Sequence, residues 1–92
     1  MRIKRMPIES PTDWKRGIRS QLDAHGMSRY SFIRACESRG VCTVHTGECL
    51  LADDDTVTGQ RIPSLQVALD MARIAGFDVV FVPRYEPKGM SR

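Results

Sequence analysis

Residues 63–76, Pro-Ser-Leu-Gln-Val-Ala-Leu-Asp-Met-Ala-Arg-Ile-Ala-Gly, constrain this chain more than any other segment. Ser64 can cap a helix by accepting from an orphan N–H of its first turn, and Gly76 can close it in the left-handed conformation that other residues avoid. Between them Leu65, Val67, Ala68, Leu69, Met71, Ala72, Ile74 and Ala75 cover too broad an arc for a helix that meets the body along one narrow stripe. The helix is therefore expected to be buried on more than one side, and the rest of the chain must supply the apolar surface that covers it.

The preceding sequence supplies such surface in short helical pieces. Ser10-Pro11-Thr12-Asp13 is a helix start: a hydroxyl cap from Ser10 or Thr12, a proline suited to the first helical position and a carboxylate at the positive end of the dipole. Trp14, Ile18 and Leu22 follow at four-residue spacing, so an apolar stripe runs to about Ala24, with Gly26 as the stop. Ser28 can cap a second helix that carries Phe32, Ile33, Ala35 and Cys36 inward until Gly40 ends it. Thr43 can cap a third, with Val44, Cys49, Leu50 and Leu51 as its apolar members, although Gly47 in its middle costs about 1 kcal/mol relative to alanine.

Residues 52–61 lack an apolar period and hold three successive carboxylates, Asp53 to Asp55, so they read as an exposed loop or a short hairpin. Phe77 to Val82 is rich in β-branched and aromatic residues and stops at Pro83, which predicts a strand. That strand needs a partner, either the N-terminal 2–8 segment or the same strand of a second subunit. The expected layout is a basic arm or strand over 1–9, one domain over 10–83 and a flexible tail over 84–92.

With 92 residues the chain supports one modest core, which gains from a second subunit that covers leftover apolar area. The net charge of +3 is uneven: residues 1–39 hold nine Lys/Arg against four Asp/Glu, whereas residues 40–92 hold five against seven. A basic half attracts phosphate, yet charge alone does not establish nucleic-acid binding. Three cysteines, an odd number with no secretory leader before them, fit a reducing, cytoplasmic setting, and the apolar runs are too short to span a bilayer.

The order of helices, followed by Gly59, Pro63, Ser64, Leu65, Ala72, Gly76, Phe77, Asp78 and Pro83, resembles the lambda-repressor/Cro-like (XRE-type) helix-turn-helix family over roughly residues 13–83. Many members of that family enter their fourth helix through Gly-x-x-x-Pro-Ser-Leu and leave it through Ala-x-x-Gly, an aromatic and an acidic residue. This chain departs from the pattern at Gly40-Val41-Cys42, where the family commonly has Gly-Val-Ser, and its 40–59 stretch is several residues longer. The resemblance implies a mainly α domain of four to five helices with a C-terminal β-strand. It also implies a dimeric, sequence-specific binder of double-stranded DNA, acting as a transcriptional repressor or as the antitoxin of a toxin-antitoxin pair.

In such a fold the third helix enters the major groove, and its first turn would offer Thr43, His45 and Thr46 to base edges. A recognition helix that starts later, near Asp53, would meet phosphate with three aspartates, which makes the earlier placement physically better. Arg29, Tyr30, Arg34 and Arg39 on or beside the second helix, with Arg61, are the candidate phosphate contacts; the alternative is a solvated basic face. Lys4 and Arg5 form a minor-groove arm or the rim of a strand. Phe77, Val79, Val80, Phe81 and Val82 are the candidate subunit seam.

Cys36, Cys42, His45 and Cys49 match a tetrahedral zinc set in number, but no Cys-x-x-Cys pair exists and Cys36 falls on a core position, so no metal or cofactor is expected. The aspartate triplet lacks the spaced ligands and central glycine of a calcium loop. His25 and His45 have no catalytic partners at a recognisable spacing, and no phosphate-cradling glycine loop exists, so an enzyme is not expected. The rival to a DNA regulator is a protein-interaction module on the same scaffold, with its elongated acidic loop as the binding element.

Overall fold

The computed structural model describes residues 5–52 and 62–83. Four helices make up the described body: α1 (Pro11–Ala24), α2 (Arg29–Ser38), α3 (Val44–Leu50) and α4 (Leu65–Ile74). Each starts on a hydroxyl cap. Ser10, Ser28, Thr43 and Ser64 accept from the backbone N–H of Asp13, Ser31, Thr46 and Val67, which satisfies one orphan donor per helix. At α1 the Asp13 carboxylate also reaches back to accept from the Glu9 N–H at 2.9 Å, a near relative of the capping box.

Gly26, Gly40 and Gly76 follow α1, α2 and α4 with φ of 66°, 74° and 100°. At α4 the Gly76 and Phe77 N–H groups turn back to the Arg73 and Ala72 carbonyls, so the helix closes tightly and releases the chain at the predicted glycine.

The core joins Trp14, Ile18 and Leu22 of α1, Phe32, Ile33 and Cys36 of α2, Leu50 and Leu51 around the end of α3, and Met71 of α4. Phe32, Ile33, Cys36, Leu51 and Met71 are fully shielded from solvent, and burial of each large apolar side chain stabilises the fold by about 1.5 to 3 kcal/mol. One long-range hydrogen bond ties the first helix to the last: the Trp14 indole Nε1 donates to the Ala68 carbonyl at 3.1 Å. Met6 lies over Gly17 of α1, its terminal methyl 3.6 Å from where a glycine Cβ would stand.

Two expectations change. The fourth helix buries Met71 and Ala72 and packs Val67, Ala68, Ile74 and Ala75 against the core, but Leu65 in its first turn is 74% exposed, so its apolar arc is not covered throughout. Nor do the described residues contain a strand. Residues 77–83 run without ladder partners among the described residues; Phe77 packs against the core, whereas Val80, Phe81 and Val82 stand in solvent, Phe81 at 96% exposure. A strand exists only by pairing, and the described part of this chain offers no mate.

The acidic loop 53–61, Arg61, Lys4 and the 84–92 tail lie outside the described residues. Among the described residues no helix is long and apolar enough to cross a membrane.

Candidate nucleic-acid interface

The Arg39-Gly40-Val41-Cys42 turn carries the chain from α2 into α3, and these two helices share the most intimate contact in the body. Gly47 makes that contact possible. A Cβ at Gly47 would stand 2.7 Å from Ile33 Cγ2, closer than real atoms pack, so only glycine lets the α3 backbone settle on α2 here. Gly47 and Leu50 face inward, which leaves His45 and Glu48 on the outside with Cys49 half-buried beside them.

Cations from both earlier helices grip the far end of α3. Lys15, 7% exposed, donates from Nζ to the Ala52 carbonyl at 2.8 Å, and Arg29 donates from Nη1 to the Leu51 carbonyl at 3.0 Å. Positive charge at a helix C-terminus complements its dipole and satisfies carbonyls the helix itself cannot, so α3 is anchored at the end opposite its exposed first turn. Lys15 is absent from the residues that the sequence singles out. Its place among the inward residues Trp14 and Ile18 is the available signal, since a buried lysine must find acceptors.

The three candidate base contacts occupy different situations. His45 is exposed on the outer face, and its Nε2 lies 3.8 Å from Cys49 Sγ one turn later. Thr43 is exposed but its hydroxyl serves the cap, accepting from the Thr46 N–H and donating to Thr46 Oγ1, both at 3.1 Å. Thr46 is half-buried. At the start of α3, Thr43 and His45 are thus exposed, whereas Val44 packs against the core and the hydroxyls of Thr43 and Thr46 engage one another.

Among the candidate phosphate contacts, Arg29 is half-buried and turned toward the end of α3, an anchoring position that the sequence does not reveal. Tyr30, 55% exposed, and Arg34 form one surface unit on α2. The guanidinium lies 5.9 Å from the ring centroid, donates to the phenol oxygen at 3.3 Å and approaches Glu37 at 3.8 Å. Arg39 is exposed at the α2 C-cap, next to the turn into α3, and Arg5 is exposed before α1. Glu48 is an exposed group that residue type and spacing do not flag: on the outer face of α3 it can accept from a cytosine amino group but repels phosphate.

The cysteines divide by burial. Cys36 is fully enclosed, and burial, reinforced by neighbouring Cys42 and opposed by Arg39, pushes its thiol up to about 11. Cys42 is half-buried and its thiol is likewise raised, by burial first and then by Glu37. A shallow open recess of about 200 Å³ lies between α1 and the start of α2, lined by Arg19, Leu22, Asp23, Met27 and Arg29. Comparison with protein-family models, curated proteins and solved structures finds no match.

Proposed function

We propose that the chain is a sequence-specific DNA-binding regulator of helix-turn-helix type that acts as a homodimer, with α3 laid in the major groove. The observation that carries this reading is the pose of α3: packed on α2 through Gly47, held at its C-terminal end by Lys15 and Arg29, and open at its first turn, where Thr43 and His45 are exposed. A short helix presented this way suits base reading, because its rigid seat fixes which side chains reach the groove floor. Arg39, Arg34 and Tyr30 then serve as backbone contacts that set register without reading sequence. A repressor and the antitoxin of a toxin-antitoxin pair both fit this mechanism.

The dimer half of the proposal rests on Val79 to Val82, exposed β-branched and aromatic residues in a segment with no ladder among the described residues. The same segment from a second chain would pair its open backbone and cover its apolar side chains, placing two α3 helices on half-sites about one helical turn apart.

Titrating salt against binding to random duplex tests the reading. Phosphate contacts release counterions, so log affinity falls steeply with log salt; absence of duplex binding at low salt would instead support a protein-interaction module. Within a binding-competent protein, Arg39→Ala should weaken binding to all duplexes and reduce the salt slope by about one, whereas His45→Ala should alter sequence preference. Identical behaviour of both variants and the parent would remove the role assignment.

A further inference from the structure

We infer that Glu48 is a specificity-determining residue of α3, whose carboxylate selects cytosine in the duplex and penalises the other bases at that position; the inference rests on the DNA reading above. Glu48 follows His45 at i+3, so the two exposed side chains are neighbours on the outer face of a helix whose inner face carries Gly47 and Leu50. At a rise of about 1.5 Å per residue, that spacing moves roughly 4.5 Å along the helix axis, on the order of one base step of about 3.4 Å. A pose that brings His45 to a base edge therefore brings Glu48 to a neighbouring pair.

The helical body makes no use of this carboxylate. Among the described residues Glu48 has no hydrogen bond or ion pair, whereas Glu37 and Asp70 each stand beside an arginine of their own helix. It occupies the C-terminal half of α3, where the helix dipole disfavours negative charge. The cations that reach that end, Lys15 and Arg29, donate to the Ala52 and Leu51 carbonyls. Glu48 is thus left to solvent and to whatever α3 meets.

An ionised carboxylate only accepts hydrogen bonds. In the major groove guanine presents N7 and O6 and thymine presents O4, acceptors that repel it; adenine couples its N6 amino donor to an N7 acceptor beside it; cytosine presents its N4 amino donor alone. Cytosine is therefore the base that such a group meets without an opposing acceptor on the same ring edge. Phosphates on either side add repulsion, so Glu48 lowers affinity for duplex in general and recovers it only where an amino donor is within reach. Its selectivity comes from exclusion as much as from attraction.

Selection of preferred duplexes from a random pool, run on the parent, Glu48→Ala and Glu48→Gln, tests the assignment, with helical circular dichroism to check that all three fold alike. The parent should select cytosine at one position of each half-site. Replacing that C·G pair by T·A should weaken binding by the parent roughly 5- to 150-fold, the range for one good base contact, and by Glu48→Ala far less. Glu48→Gln should prefer adenine there, since its amide can pair with N6 and N7 together. Both variants should bind random duplex more tightly than the parent and keep the preferences at the other positions. Cytosine selection that survives in Glu48→Ala, a parent that selects bases but no cytosine there, or variants that lose preference at every position would overturn the role of Glu48 and leave the regulator reading in place. A parent that binds no duplex at low salt would instead sink the regulator reading, and the role of Glu48 with it.

Discussion

Gly47 of α3 sits directly on Ile33 of α2, with room for a hydrogen but not for a methyl group: a Cβ there would stand 2.7 Å from Ile33 Cγ2 and 3.2 Å from Cγ1. Both obstructing atoms branch from the Ile33 Cβ, and the side chain is fully buried, so it has nowhere to swing. Alanine would gain about 1 kcal/mol of helix propensity. Overpacking of a tight core costs about 1 to 3 kcal/mol. Gly47→Ala should therefore lower stability in urea or thermal unfolding. Addition of Ile33→Ala should cost less in the Gly47→Ala background than in the parent, since the two changes meet at one contact. Strict additivity would contradict the packing described.

Lys15 gives a second test. Its buried ammonium donates to the Ala52 carbonyl, and hydrogen bonds to charged groups contribute about 1.5 to 3 kcal/mol. Lys15→Met preserves the stem and removes the donor. Unfolding should become easier by about that amount, and amide exchange in α3 should accelerate more than in α1. An equal change in both helices would show that Lys15 does not act through the end of α3.

How far the sequence leads depends on whether a signal is local. The caps at Ser10, Ser28, Thr43 and Ser64 and the stops at Gly26, Gly40 and Gly76 act within one turn, and the helices stand where these residues put them. Gly47 is different. Read locally it only weakens α3, and its value lies in the proximity of Ile33, far back in sequence on another helix and legible only after packing. Leu65 misleads in the opposite direction, since an apolar residue at the start of a helix carries no mark of whether anything reaches it. The inward turn of Arg29 and the approach of Cys49 to His45 are equally hidden, because residue type does not state where a side chain points.

Cys36 predicts a pH dependence. Its thiol rises from an ordinary 9.0 to about 11 in the folded chain, chiefly through burial. Between these values the unfolded chain releases the proton that the folded chain keeps, so folding stability is intact below about pH 9 and declines toward pH 11. The loss from this one group is roughly 2 to 3 kcal/mol, at about 1.4 kcal/mol for each tenfold change in proton affinity. Denaturation midpoints across that range should fall more steeply in the parent than in Cys36→Ala. Parallel slopes would mean that the thiol titrates normally.

Phe81 tests the subunit seam. At 96% exposure it contributes nothing to the single chain's core, so Phe81→Asp should leave the helical spectrum and the monomer fold intact. Sedimentation should nonetheless show the parent as a dimer and the variant as a monomer. A parent that sediments as a monomer at high concentration would remove the seam.

The most direct measurement of the central claim is a residue-resolved map of where duplex touches the chain, from amide and imidazole NMR shifts during titration with a selected duplex. The proposed pose predicts that the largest changes fall on Thr43, His45 and Thr46, with a weaker rim at Tyr30, Arg34 and Arg39. Shifts centred on Val79 to Val82 or on the first turn of α4, with the leading turn of α3 silent, would contradict it.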